Sequence, residues 1–129
     1  DALNNKGLAF VKLGRTDEAI QLFDKVLAMD ANDSDALNNK GQAFVKLGRT
    51  DEAIQLFDKV LAMDTNNTDS LVNKGLALYN LGKTDEAIQY YDRALAIDSS
   101  DAEAQSNKDS ALLLLSSLAK RNQNTSAIS

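Results

Sequence analysis

Residues 35–68 read DALNNKGQAFVKLGRTDEAIQLFDKVLAMDTNNT. Residues 1–34 read almost the same, differing only at Leu8/Gln42, Ala31/Thr65, Asp33/Asn67 and Ser34/Thr68. Residues 69–102 repeat the pattern more loosely, so Gly7, Gly41 and Gly75 recur every 34 residues, as do Ala19, Ala53 and Ala87. A fixed period in this range marks a stacked array of identical units, not one closed core. Within 35–68, Ala36, Leu37, Lys40, Ala43, Phe44 and Leu47 fall at helical spacing, and Ala53, Ile54, Leu56, Phe57, Val60 and Leu61 do so again. Gly48 suits the left-handed residue after a helix end. Thr50 is expected as the next N-cap, followed by Asp51 and Glu52 in the first turn, where carboxylates favour the helix dipole. Thr68 is expected to cap the helix after that. Each repeat is therefore a helix pair with a tight turn. Gly41 inside a helix costs about 1 kcal/mol relative to Ala. Its recurrence predicts close approach of the paired helix at Ala53, with Leu37, Phe44, Leu47, Phe57 and Leu61 filling the space around it.

Outward from the repeats, Ala102 to about Lys120 aligns with one more first helix: Asn107-Lys108 matches Asn73-Lys74, and Ala111 matches Ala77. Asp109 replaces the glycine, so this reads as a C-terminal capping helix, which repeat arrays require. Leu113 and Leu114 are expected at least partly on its outer face. Residues 121–129 lack periodicity and read as a disordered tail. The expected fold class is all-α, an α-solenoid of three helix hairpins (about 1–33, 34–67 and 68–101) plus the capping helix.

Composition narrows the chemistry. The 129 residues contain 14 Lys+Arg and 19 Asp+Glu, for a net charge of −5, which argues against a phosphate backbone as ligand. Cys and His are absent, and without His the chain lacks the commonest general base and the commonest transition-metal ligand. No enzyme activity, cofactor or metal is expected. Leu81-Gly82-Lys83-Thr84 mimics the end of a phosphate loop, but its upstream glycine is misplaced at Gly75. Asp30-x-Asn32-x-Ser34 and Asp64-x-Asn66-x-Thr68 mimic the start of a calcium loop, but lack its Gly and Glu and read as helix-capping loops. The longest apolar run, Ala111–Leu115, is far too short for a membrane span of roughly 18 residues. The chain begins at Asp1 without Met inside a repeat frame, as expected of a piece of something longer; a cytoplasmic location is the expectation.

The spacing resembles the tetratricopeptide repeat (TPR). Leu3, Lys6-Gly7, Phe10, Ala19 and Phe23 occupy the places of its signature, as do Leu37, Lys40-Gly41, Phe44, Ala53 and Phe57, and again Leu71, Lys74-Gly75, Leu78, Ala87 and Tyr91. It departs where Lys stands for the Leu before Gly, with its stem along the core and its ammonium in water, and where the closing Pro is Ala31, Thr65 or Ser99. The resemblance implies that each first helix lines a concave groove. Carried over, the groove positions are Asp1, Asn4, Asn5, Leu8, Val11 and Lys12; then Asp35, Asn38, Asn39, Gln42, Val45 and Lys46; then Asp69, Val72, Asn73, Leu76, Tyr79 and Asn80.

The series Asn5, Asn39, Asn73, continued by Asn107, is the expected core of a peptide site. Each amide offers donors and an acceptor, so a row of them can hold an extended main chain without reading its sequence. The row Asp1, Asp35, Asp69 would favour basic or hydroxyl-bearing ligand side chains. The acidic-tail clamp of other TPR proteins is disfavoured, because Asp69 and Asn73 stand where it has its basic pair and Asn4 and Leu8 where it has Lys and Asn. The implied function is a scaffold or adaptor module for a protein or peptide partner, with neither nucleic acid nor membrane. The alternative is a structural or engineered array that self-associates by end-to-end stacking through its open repeat ends or Leu113/Leu114.

Overall fold

The computed structural model describes residues 2–128, with side chains through Gln123. Asp1 of the expected acidic row and Ser129 of the expected tail lie outside the described residues. Seven helices and no strand occur among the described residues: α1 (Ala2–Lys12), α2 (Thr16–Met29), α3 (Ser34–Lys46), α4 (Thr50–Met63), α5 (Thr68–Asn80), α6 (Thr84–Ile97) and α7 (Ala102–Ile128). None is long and apolar enough to cross a membrane.

Two local devices build each hairpin. After α3, Gly48 takes φ +78°, its N–H bonds Val45 O at 3.1 Å, and the Arg49 N–H bonds Phe44 O at 2.8 Å. This is a Schellman turn, which satisfies the last carbonyls of the helix. Gly14 and Gly82 repeat it at φ +79° and +81°, so the glycine of the phosphate-loop lookalike is a helix stop. The turn is so tight that Arg49 both closes α3 and stands as N-cap of α4, without a side-chain cap bond. Thr50 is accordingly the first helical residue and not the expected cap.

Between hairpins, an Asx turn and a cap follow one another. Asp64 Oδ1 accepts from Asn66 N at 3.0 Å, and Asn67 Oδ1 accepts from Ser70 N at 2.9 Å. Asp30 and Asp33 do the same before α3, and Asp98 and Asp101 before α7. The cap of α5 is thus Asn67, one residue ahead of the expected Thr68. The carboxylates of the calcium-loop lookalike are occupied with backbone N–H groups.

The recurrent helix glycine is explained by a ring. A Cβ on Gly41 would lie 2.4 Å from Cε1 of Phe57, and all three nearest atoms belong to that ring. Gly7 faces Phe23 and Gly75 faces Tyr91 in the same way. The expected partner Ala53 is buried one helical turn before Phe57; the hole is filled by the aromatic. Leu37, Phe44 and Leu61 are buried as expected, whereas Leu47, at the C-cap, is 40% exposed.

Successive helices pack in order, and α1, α3, α5 and α7 also touch one another in sequence, whereas no contact joins α2 to α4 or α4 to α6. The first helices therefore converge on one face and the second helices splay on the other, which curves the array. Lysines pin the seams between repeats: Lys40 Nζ meets Asp24 Oδ1 at 2.7 Å, and Lys74–Asp58 and Lys108–Asp92 follow at 2.6 Å. Helix α7 continues past the expected end at Lys120 to Ile128, in a stretch with neither Gly nor Pro to stop it. Leu113 is 70% exposed and Leu112 43%, while Leu114 is half-buried.

Candidate functional site

The converging first helices enclose two adjoining hollows on the concave face. The larger, about 350 Å³, takes Leu8, Val11 and Lys12 from α1, Asn39, Gln42, Val45 and Lys46 from α3, Asn73 and Leu76 from α5, Phe57 from α4 and Glu103 from α7. The smaller, about 190 Å³, is lined by Leu76, Tyr79, Tyr91, Asn107 and Ser110. Leu76 belongs to both, so together they form one interrupted trough along the array.

The asparagine series behaves differently along its length. Asn5 is exposed and lines neither hollow, Asn39 is half-buried, and Asn73 is 6% exposed. Asn73 Oδ1 accepts from Gln42 Nε2 at 3.0 Å, and its Nδ2 is buried without an acceptor. Asn107 Nδ2, one repeat further on, is also buried and without an acceptor. A buried donor left unpaired costs about 1–3 kcal/mol, and the same repeat position carries one on α5 and again on α7.

Of the other expected site residues, Gln42, Val45 and Lys46 join Asn39 and Asn73 in the larger hollow, and Tyr79 lies in the smaller. Asn4 and Asn38 do not line either. Both are buried, and Asn38 sits in the seam between repeats, where its Oδ1 accepts from the Ser70 hydroxyl at 2.7 Å. Asp35 and Asp69 are exposed and outside both hollows. Four lining residues were not anticipated: Phe57, Tyr91, Glu103 and Ser110. Two were readable, since Glu103 stands 34 positions after Asp69 and Ser110 stands 34 after Leu76.

Electrostatics are mixed. Lys12 and Lys46 are exposed and enter none of the ion pairs among the described residues. Glu103 contributes the opposite sign from α7. Burial pushes the Tyr91 phenol up to about 12, with the neighbouring Tyr79 and Glu103 adding to the shift. No group of three or more acidic, His or Cys side chains is placed to hold a metal among the described residues.

The chain matches the tetratricopeptide repeat family over residues 4–69, and a second model of that family matches over 44–108. It belongs to the tetratricopeptide repeat family. No curated protein sequence matches it. Among solved structures, the first TPR of Spaghetti (RPAP3) bound to the HSP90 peptide SRMEEVD is similar at 25% identity and TM-score 0.80, over 89% of this chain and 91% of that one. The first TPR domain of human RPAP3 is similar at 26% identity and TM-score 0.83, with the same coverage. The Sgt2 TPR domain from Aspergillus fumigatus, at 16% identity, shares the fold with TM-score 0.84 over 93% of this chain and 81% of that one.

Proposed function

We propose that this TPR array is an adaptor module that binds an extended peptide segment of a partner protein along the concave trough. The observation that carries the reading is the pair of buried, acceptor-less Nδ2 atoms of Asn73 and Asn107. The two side chains line the two hollows one repeat apart, and with the amide turned outward each Nδ2 would be satisfied by a peptide carbonyl. Val45 and Leu76 give apolar contact. Lys12 and Lys46 favour an acidic ligand side chain at the α1–α3 end, with Glu103 favouring a basic or hydroxyl group beyond it. The similarity to an RPAP3 domain bound to an HSP90 peptide supports a peptide as ligand class. A clamp on a free terminal carboxylate draws less support, because Asp69 adds like charge on the helix that carries Asn73.

The test is a peptide-library selection, with free-acid and amidated C-termini, followed by titration calorimetry. Asn73→Ala and Asn107→Ala should each weaken binding by about 1–3 kcal/mol, Asn5→Ala should leave it unchanged, and amidation should matter little. Equal affinity of wild type and the Asn73/Asn107 double variant would remove the reading.

A further inference from the structure

On α3, Asp35, Asn39, Gln42 and Lys46 stand at i, i+4, i+7 and i+11, a spacing that keeps to one face of a helix. The last three line the larger hollow, and Asp35 continues their face one turn toward the helix N-terminus. Helix dipoles favour a carboxylate in the first turn and an ammonium in the last, and stacking turns these ends into rows. Asp35, Asp69 and Glu103 make an acidic row at one repeat position, and Lys12 and Lys46 make a basic row at another. All five are exposed, and none enters an ion pair among the described residues. Lys12, Lys46 and Glu103 border the larger hollow itself, so one cavity meets both signs. It also holds Asn73, 6% exposed, with its Nδ2 unpaired. Along α3 the rows stand about 16 Å apart. That is roughly two Debye lengths at physiological ionic strength, so each row acts on its own side of a ligand.

Taking the trough as the peptide site, we propose that it selects an extended partner segment whose charges alternate in sign along the chain. Acidic residues occupy the flank toward Lys12 and Lys46, and basic residues the flank toward Asp35, Asp69 and Glu103. Successive side chains of an extended strand point to opposite sides. A segment crossing the first helices over the asparagine series therefore presents one flank to each row. A uniformly acidic or uniformly basic segment sets half of its side chains against like charge, which selects against it. Leu8, Val11 and Val45 line the larger hollow near the lysine ends of their helices, so an apolar ligand residue belongs on the acidic flank.

The probes are two end-blocked peptides of one composition and no net charge. EKEKLKEKE puts Glu and Leu on one flank of a strand and Lys on the other, whereas EEEELKKKK mixes the signs on both. Titrated into the full chain by calorimetry, the alternating peptide should bind about fivefold tighter, the worth of a few exposed ion pairs, and high salt should narrow the gap. One-sided peptides separate the rows. ESESLSESE should lose affinity in the Lys12→Gln/Lys46→Gln variant and keep it in Asp35→Asn/Asp69→Asn, and SKSKLKSKS should do the reverse. Equal affinity for the two isomers, one-sided peptides that respond to both pairs of substitutions alike, or helical circular dichroism induced in the bound peptide each overturn the proposal. If Asn73→Ala weakens both isomers equally in that case, the peptide site stands and only the charge pattern falls. Binding indifferent to Asn73→Ala and Asn107→Ala, or none at millimolar peptide, removes both.

Discussion

Phe57 fills a hole that Gly41 leaves in the facing helix: a Cβ at Gly41 would stand 2.4 Å from the ring. Two effects compete in Gly41→Ala. Helix propensity favours Ala by about 1 kcal/mol, while forcing a methyl into a fully buried ring contact costs about 1–3 kcal/mol. Phe57 is completely buried, so moving its ring displaces packed neighbours, and the steric cost wins. Gly41→Ala should lower the urea midpoint, and adding Phe57→Leu to it should recover part of the loss. A midpoint equal to or above wild type in the single variant would refute the ring-in-hole account.

Asn38 and Asn4 occupy the same repeat position with different partners. Asn38 Oδ1 accepts from the Ser70 hydroxyl, whereas Ala36 stands at the repeat position of Ser70 and Asn4 Oδ1 is buried without a partner. Ser70→Ala should therefore destabilise by about 1–3 kcal/mol, and Ala36→Ser should stabilise by about 0.5–1 kcal/mol by supplying the missing donor. Thermal melts of the two variants should move in opposite directions. Neither should alter peptide affinity, since Asn4, Ala36, Asn38 and Ser70 line neither hollow.

The hairpins were legible because their signals are local. Gly48 after Leu47 dictates a Schellman turn from a few consecutive residues, and the 3.6-residue spacing of Ala53 and Phe57 dictates a buried stripe. What spacing does not say is which member of the stripe meets a given neighbour. Ala53 and Phe57 are one turn apart on the same face of α4, and only the relative height of α3 and α4 puts the ring at Gly41. The same limit applies at Asn38 in the groove. Asn38 and Asn39 differ by about 100° around α3, and the rotation of α3 in the stack turns the first into the seam and the second into the trough. The unanticipated Glu103 is a different case. It continues the 34-residue acidic series into α7, where the array closes and brings that position against the larger hollow.

Lys74 carries its charge under opposing influences. Burial works against the ammonium, yet hydrogen bonds to Asp58 and Tyr90 together hold its pKa above the ordinary lysine value. Asp58 is half exposed, so solvent screening limits the pair to about 0.5 kcal/mol. Lys74→Glu replaces attraction by repulsion and should cost about 1 kcal/mol, reduced at high salt. Lys6→Glu, at the same repeat position without a carboxylate partner, should leave stability unchanged. Denaturation of both variants at low and high salt checks the contrast; equal losses at the two sites would remove the role assigned to the inter-repeat pairs.

Tyr91 links the core to the trough and sets the alkaline behaviour of the fold. Burial, assisted by Tyr79 and Glu103, raises its folded-state pKa from 10.0 to about 12. An acid whose pKa is raised on folding holds its proton longer in the folded state, so the unfolded chain gains from ionisation first. The stability tied to this proton is complete below pH 10, and it is lost as pH rises from there through about 12, by an amount on the order of 2 kcal/mol. In a spectrophotometric titration Tyr91 should ionise in a late phase, coincident with loss of helical circular dichroism. Tyr91→Phe keeps the ring that faces Gly75 and removes the titrating hydroxyl. It should abolish the late phase and flatten stability across that window. A late phase that persists in the variant would assign the shift to another tyrosine.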